Sequence, residues 1–381
     1  VVNVEARGAS GPSMMFETGP NNAALMDLFA RSVNNPSANS LTYEIYKLLP
    51  NDTDFTVYST AGLTGFNFAF SNSASLYHSE RDNLANLDRN TLQHHGDNMF
   101  ATVFALADTD LATVKATEDA SYFDLHGSTL ILWPAALNLP LAAIAFAAIL
   151  ALIPFHGSAF SLKGTGLAIA AVIAAPIVLH GFGWLLSFPL GVWPGVHPLD
   201  HPDPWPGRIA TTATGIFVAA MIAAVVTRVD QRALLLIAWA VLAILGIVVA
   251  SLVTGAAFLL LWPTLGFAVA AWIETFTRKT SLKIAGWAGF ALIAFMWLPY
   301  LMALELVIGF DLTQFKILTL VPVVLALSPV FAPAMRWLAV AAPLLVAAIA
   351  AALASQTPAY AENHPRGQNI VYYDDRTATL G

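Results

Sequence analysis

Long apolar segments separated by short polar loops fill the chain from about residue 128 to residue 354. Each segment is about 18 to 27 residues long, enough for a helix rising ~1.5 Å per residue to cross ~30 Å of hydrocarbon. Their interiors hold almost no acidic or basic side chains. The pattern predicts an all-α polytopic membrane domain of about eight spans, with residues 301–314 either extending the sixth span or lying in the interface. The predicted starts are Thr129, Gly164, Ile209, Ala233, Thr254, Ile284, Ile317 and Trp337.

Cationic residues are unevenly shared between the two sets of alternate loops. The loops after spans one, three, five and seven carry seven of them, and the loops after spans two, four and six carry two. The seven are Lys163, Arg228, Arg232, Arg278, Lys279, Lys283 and Arg336, and the two are Arg208 and Lys316. Because Lys and Arg favour the cytoplasmic side of short loops, the first set is predicted to be cytoplasmic. With eight spans, both ends of the chain then lie on the extracytoplasmic or lumenal side.

Residues 1–125 show a different pattern, in which short apolar strands alternate with helices and polar turns. The predicted strands are residues 1–6, 14–18 and 65–70, and the predicted helices are residues 41–49 and 89–107. Such alternation predicts α/β structure, a sheet covered by helices.

Two more helices in this region are predicted from their caps. Asn21 and Asn22 can cap one whose apolar face is formed by Leu25, Leu28, Phe29 and Val33. Asp52 or Asp54 can cap the next.

The chain therefore divides into four predicted parts. Residues 1–113 form the soluble domain, residues 114–128 a linker and residues 129–354 the membrane domain. Residues 355–381 resemble the first strand of a further domain outside the cytoplasm. Because the chain opens directly on a strand pattern, we expect it to be an internal fragment of a longer protein.

Composition narrows the possible partners. The sequence is 57% hydrophobic and 11% charged, with a net charge of −7. An acidic balance argues against nucleic acid as a partner, whereas the apolar segments indicate a lipid bilayer. The absence of cysteine excludes disulfides, thiol catalysis and thiolate metal sites.

Two positions in the soluble domain are candidates for chemistry. Glu5 ends an apolar strand, where a carboxylate can enter a site, although a solvated strand end or an ion pair with Arg7 is the simpler interpretation. His78 follows the strand at 65–70 and can bind a metal through a neutral imidazole, with Asp82 available to orient its other nitrogen. The adjacent Tyr77 can donate a hydrogen bond to an oxyanion. A surface histidine and a packed tyrosine remain the simpler alternatives.

The other histidines are weaker candidates. His94 and His95 are adjacent on a predicted helix and point about 100° apart, so packing or surface roles are favoured over chelation. His197 and His201 lie in a loop whose prolines forbid a regular helix. His180 lies inside the second span, either as a functional group or as a neutral histidine bonded to a neighbouring helix.

A series of short motifs carries a resemblance to a known family. These are NVEARG at 3–8, FETGP at 16–20, LPNDTDF at 49–55, GFNFAF at 65–70 and YHS at 77–79 with Asp82, followed by NLD at 86–88 and LQH at 92–94. In this order they resemble the membrane-bound zinc aminopeptidases of the glutamate-carboxypeptidase-like dizinc family, over about residues 1–108. The resemblance implies an extracytoplasmic peptidase that binds a peptide substrate and two zinc ions in the full-length protein.

The resemblance also implies roles for single residues. Glu5 corresponds to the second carboxylate ligand of one zinc, His78 to the histidine ligand of the other and Tyr77 to the oxyanion stabiliser. The remaining ligands and the general base would lie upstream of residue 1, so the chain alone is expected to be inactive. Ser79 stands where threonine is usual and Asn67 where aspartate is common. These departures leave an alternative function, that of a non-enzymatic transporter or scaffold with a degenerate peptidase-like domain.

Overall fold

The computed structural model describes residues 1–48, 52–114, 117–191, 201, 203–277, 281–308, 310, 312–332 and 337–361. The soluble part holds the strands β1 (Val2–Ala6), β2 (Met14–Thr18), β3 (Phe66–Phe70), β4 (Ala120–Asp124) and β5 (Leu130–Pro134). Its helices are α1 (Ala23–Ser32), α2 (Ser40–Tyr46), α3 (Asp54–Thr60) and α4 (Arg89–Ala107). The predicted α/β domain followed by an all-α domain is confirmed.

Strands β1, β3 and β2 form one sheet in that order. Strand β3 lies between them, parallel to β1 and antiparallel to β2. Helix α1 covers one face, where the ring of Phe29 lies 5.6 Å from Phe66 and 5.8 Å from Phe68 between centroids. The predicted apolar face of α1, Leu25, Leu28, Phe29 and Val33, is fully buried.

Two predicted helix caps are wrong in detail. Asn22 precedes α1, but its side chain caps nothing there and accepts a hydrogen bond from the N–H of Ala120 at 2.9 Å. The N-cap of α3 is Thr53 rather than Asp52 or Asp54, and its N–H donates to the Thr56 hydroxyl at 3.3 Å. Asn22 was recruited by strand β4, a long-range partner that a local cap signal does not show.

Strands β4 and β5 form an antiparallel hairpin where the sequence predicted a linker and the start of the first span. The predicted span start at Thr129 is wrong, because residues 130–134 pair with β4 and the helix α5 begins at Asn138. A five-residue strand beside an apolar helix forms one continuous apolar run, and hydrophobicity alone does not separate the two.

The membrane part contains the helices α5 (Asn138–Leu150), α6 (Leu162–Leu190), α7 (Pro204–Val225), α8 (Gln231–Leu252), α9 (Phe258–Phe276), α10 (Lys283–Ile308), α11 (Thr313–Lys316), α12 (Val321–Phe331) and α13 (Trp337–Gln356). Among the described residues, seven helices are long and apolar enough to cross a membrane. An eighth span results if residues 135–150 and 153–159, which bend by 43°, cross together. The predicted multi-pass membrane domain is confirmed, and α10 continues to Ile308, so residues 301–308 extend the sixth span.

The soluble domain packs directly on the membrane helices. The Ser40 hydroxyl donates to the carbonyl of Gly255 at 2.7 Å, in the short turn between α8 and α9. The ring of Phe123 in β4 stacks on Phe258 of α9 with centroids 5.3 Å apart. The β4–β5 hairpin and α2 therefore hold the sheet, and the site at its edge, in a fixed position against the membrane domain.

Candidate active site

Glu5 lies near the carboxyl end of β1 and is half-buried. Its carboxylate Oε1 accepts a hydrogen bond from Asn3 Nδ2 at 3.1 Å. Within the described part of the chain it forms no ion pair with Arg7, so the simpler interpretation of Glu5 as half of a surface ion pair has no support.

A chain of polar side chains leads from Glu5 into the domain. Asn3 also donates to Asn67 Oδ1 at 3.0 Å, across the β1–β3 pair in which the two residues are directly opposed. Asn67 in turn donates to Glu17 Oε2 and to the Thr53 hydroxyl, both at 2.8 Å. Both amide hydrogens of Asn3 and both of Asn67 therefore have acceptors, an arrangement that fixes the two amides in one orientation.

Glu17 is the buried end of this network. Burial raises the pKa of the Glu17 carboxyl above its ordinary value of 4.5, and the negative charge of Asp52 raises it further. The hydrogen bond from Asn67 acts in the opposite direction and favours the ionised form. Sequence reasoning missed Glu17. The available signal was the polar residue Asn67 in an otherwise apolar strand, since such a residue needs partners when buried.

Tyr77 and His78 lie in the loop after β3, following a single 3₁₀ turn at residues 74–76. Their rings stack with centroids 3.8 Å apart and 21° between planes, and both residues are exposed. His78 has a positive φ of 59°, an uncommon conformation for a non-glycine residue. Histidine is among the non-glycine residue types that are enriched in this conformation.

Asp82 contacts His78 in an unexpected way. The sequence predicted that its carboxylate orients the imidazole, but Oδ2 accepts from the backbone N–H of His78 at 3.4 Å. The imidazole itself forms no hydrogen bond within the described residues. Asp82 therefore stabilises the unusual backbone of His78 and leaves the ring nitrogens available to a ligand.

The sheet topology relates the two predicted ligands. Because β1 and β3 are parallel, their carboxyl ends meet at one edge, with Glu5 opposite Ala69. The chain leaves that same edge after Phe70 and reaches His78 eight residues later. No hydrogen bond or ion pair links Glu5 with His78 among the described residues, and their approach to within roughly 8 Å at a shared dizinc centre stays a prediction.

The donors present have the right chemistry for zinc but do not enclose an ion by themselves. A carboxylate and an imidazole are both ligands that zinc accepts. In the described ranges, however, no group of three or more histidine, aspartate or glutamate side chains is placed to hold a metal. We therefore derive no catalytic step through a metal from this chain alone.

The other histidines have structural partners. His94 accepts from the N–H of Ser13 at 3.1 Å and donates to the carbonyl of Asn35 at 2.8 Å, and His95 bonds the Ser13 hydroxyl. Burial, and then the neighbouring His94, lower the pKa of His95. Both histidines are half-buried and hydrogen-bonded, which agrees with the packing alternative of the predicted packing or surface roles.

Two of the three candidate histidines of the membrane domain, His180 and His201, lie among the described residues. His180 Nδ1 lies 3.0 Å from the carbonyl of Gln314, which matches the predicted hydrogen bond to a neighbouring helix. His201 Nδ1 accepts from the N–H of Asp203 at 3.2 Å. His197 lies outside the described residues.

Comparison with known proteins shows which protein family the first part of the chain resembles. Residues 1–103 match the model of peptidase family M28. The chain is 28% identical to endoplasmic reticulum metallopeptidase 1 of Homo sapiens over 143 residues, which is 36% of this chain and 16% of that protein. It is 31% identical to the Mus musculus protein of the same name over 139 residues, or 35% and 16% of the two chains.

A fungal protein gives the same result. The vacuolar membrane protease of Eremothecium gossypii is 30% identical over 141 residues, which is 35% of this chain and 13% of that protein. The match thus spans only 13–16% of the length of these relatives. No solved structure matches the chain. The resemblance seen in the motifs is confirmed over residues 1–103, which match peptidase family M28 and precede a multi-pass membrane domain.

Proposed function

We propose that this chain belongs to a membrane-anchored dizinc aminopeptidase, which hydrolyses peptide bonds near a free amino terminus outside the cytoplasm. The match to peptidase family M28 supports a peptidase. Relatives named as a metallopeptidase and a membrane protease support a metal-dependent enzyme in a membrane. Its partners are then a peptide substrate and the lipid bilayer, and no nucleic acid.

The parallel pairing of β1 with β3 is the observation that carries this proposal. The strand end bearing Glu5 and the start of the loop that leads to Tyr77 and His78 then lie at the same edge of the sheet. We assign Glu5 as a ligand of one zinc, His78 as a ligand of the other and Tyr77 as the donor to the oxyanion. When bound, the zinc ions supply hydroxide near neutral pH and polarise the scissile carbonyl.

The residues of this chain position those groups. The Asn3 amide donates to Glu5 and fixes one carboxylate oxygen, which leaves the other oxygen for a ligand. The stacking of Tyr77 on His78 holds the phenol beside the imidazole, so a metal and a hydrogen-bond donor would act on the same carbonyl. A phenol placed in this way stabilises negative charge that develops on the carbonyl oxygen.

Replacement of His78 tests the assignment in the full-length protein. We expect His78→Ala to remove one of two zinc ions, measured by inductively coupled plasma mass spectrometry, and to abolish nearly all peptide hydrolysis. His126→Ala is the matched control, because His126 is an exposed histidine in the β4–β5 turn with a similar positive φ of 50°.

Two outcomes would contradict the proposal. Retention of both zinc ions and full activity by His78→Ala would make this histidine an ordinary loop residue. A wild-type full-length protein that binds no zinc and cleaves no peptide would instead favour the transporter or scaffold alternative.

A further inference from the structure

A cavity of about 530 Å³ lies between three membrane helices, away from the peptidase site. It is lined by residues from α7, from the second half of α10 and from the seventh span, which is Thr313–Phe331 and contains α11 and α12. A volume of this size holds part of a lipid or another small amphipathic molecule.

Three charged side chains meet at this cavity. Glu305 Oε1 accepts from Arg208 Nε at 2.9 Å, and Glu305 Oε2 lies 3.6 Å from Lys316 Nζ. The side chains of Glu305 and Lys316 are each 8% exposed and that of Arg208 is 21% exposed. Buried charges within membrane helices are costly, and they mark functional positions more often than purely structural ones.

Arg208 retains unused hydrogen-bonding capacity. A guanidinium carries five N–H donors, and within the described residues only the Nε–H of Arg208 has a protein acceptor. Its flat face lies over the Trp205 ring, 4.9 Å from the centroid. The terminal nitrogens of a guanidinium held in this way can bind two oxygens of one phosphate or carboxylate.

The rest of the cavity is lined by apolar side chains and three threonines. The apolar side chains are those of Leu298, Pro299, Leu301, Ile317 and Leu320. A small, strongly hydrated anion gains nothing from such a surface, whereas an anion that carries an acyl chain buries that chain against it. The combination selects a ligand with one charged and one apolar end.

The depth of the charges agrees with a lipid headgroup. Arg208 lies in the second turn of α7, Glu305 is three residues from the end of α10, and Lys316 lies at the start of the seventh span. Helix α7 begins, α10 ends and the seventh span begins at the same face of the membrane domain. The cluster is therefore near one membrane surface, where lipid phosphates lie.

We propose that this cavity is a phospholipid-binding site, with the lipid phosphate on the Arg208 guanidinium and an acyl chain along the apolar wall. The bound lipid links α7, α10 and the seventh span. This site is independent of the proposed peptidase activity.

Native mass spectrometry of the purified chain in detergent tests the site, with dioleoyl-phosphatidylglycerol as the probe. We expect the wild-type chain to bind one lipid with a defined Kd. Arg208→Lys keeps the charge next to Glu305 but loses the planar fork, and should weaken binding at least about tenfold. Arg232→Lys is the matched control, because Arg232 pairs with Asp230 outside the cavity, and its Kd should stay at the wild-type value.

A second variant leaves the charged cluster untouched. Thr212 is exposed on the cavity wall, and its hydroxyl forms no hydrogen bond within the described residues. Thr212→Phe fills the cavity and should also weaken lipid binding, which decides the matter if Arg208→Lys fails to fold. Equal binding by wild type, Arg208→Lys and Thr212→Phe would overturn the proposal.

Two competitors distinguish the source of the ligand. Dioleoylglycerol, which has the same chains and no phosphate, should bind much more weakly than dioleoyl-phosphatidylglycerol. If it binds equally well, the cavity is merely apolar and the proposal fails. Inorganic phosphate should leave the lipid adduct in place, and complete displacement of the lipid by millimolar phosphate would make the site one for a free anion.

Discussion

At the scale of single residues, Asn67 shows how a departure from the family pattern is accommodated. Aspartate at this position would place a second carboxylate beside Glu17, and two such groups cannot both ionise without strong repulsion. The amide instead donates to Glu17 and Thr53 and accepts from Asn3. Asn67 thereby connects the buried carboxylate to the residue that orients Glu5.

The buried Glu17 carboxyl predicts a pH-dependent stability. Because burial raises its folded-state pKa above 4.5, its contribution to the free energy of unfolding is largest at low pH. That contribution is lost as the pH rises from about 4.5 through the folded-state pKa, since the native state must then ionise a buried group. Glu17→Gln can still accept from Asn67 and should lack this decline when apparent Tm is measured between pH 4 and pH 8.

Glu80→Gln is the control for this experiment, because Glu80 is an exposed carboxylate of the same domain. It should reproduce the pH profile of the wild type. A Glu17→Gln profile parallel to the wild type over the whole range would show that Glu17 does not titrate differently in the folded state.

Tyr77 carries a second residue-scale prediction, made for the full-length enzyme. Tyr77→Phe removes the phenol hydroxyl and keeps the ring that stacks on His78. We expect both zinc ions to remain and kcat to fall by about 10²–10³, the usual cost of one oxyanion donor, with little change in KM. Tyr58→Phe, at another exposed tyrosine, should be silent. Loss of metal together with activity would show that Tyr77 supports the site and is not an oxyanion donor.

At the scale of elements, local signals were enough where a helix is long and capped. Helix α4 spans residues 89–107 as predicted, and the Asp88 side chain caps it by accepting from the N–H of Thr91 at 2.7 Å. The β4–β5 hairpin was missed, because two five-residue strands beside an apolar helix have no period of their own. The Asn3–Asn67 hydrogen bond could not be predicted from one sequence either, since it depends on the register between β1 and β3.

The contact between α2 and the α8–α9 turn predicts that a side chain larger than hydrogen at position 255 destabilises the protein. A Cβ on Gly255 would lie 2.4 Å from the carbonyl oxygen of Ser40 and 2.7 Å from Cγ of Glu44. Gly255→Ala must therefore separate the soluble domain from the membrane helices, and should destabilise the protein by about 1–3 kcal/mol. A lower Tm in differential scanning fluorimetry would report this.

Gly96→Ala is the matched control for the domain contact. Gly96 lies inside α4, and a Cβ there meets nothing within 4 Å. Alanine in an open helical position should stabilise the protein by roughly 0.5–1 kcal/mol. If Gly255→Ala is as stable as Gly96→Ala, the soluble domain does not depend on close packing against the α8–α9 turn.

At the scale of the whole molecule, the chain joins a sheet-based domain that matches peptidase family M28 to seven long apolar helices among the described residues. The class of this architecture followed from the sequence, because span length and apolarity are set by the bilayer. The candidate site did not follow from composition or periodicity. The roles of Glu5, Tyr77 and His78 depend on the family motifs, since each residue type is also ordinary at a protein surface.

The orientation of the molecule is the remaining whole-molecule prediction. The excess of cationic residues in one set of loops predicts that the soluble domain and the end of α13 share the extracytoplasmic or lumenal face. Because the chain has no cysteine, single cysteines can be introduced without background. An impermeant thiol reagent applied to intact cells or sealed vesicles should label Ser73→Cys and Gln356→Cys, and label Lys163→Cys only after permeabilisation. Labelling of Lys163→Cys alone before permeabilisation would invert the orientation and place the peptidase domain in the cytoplasm.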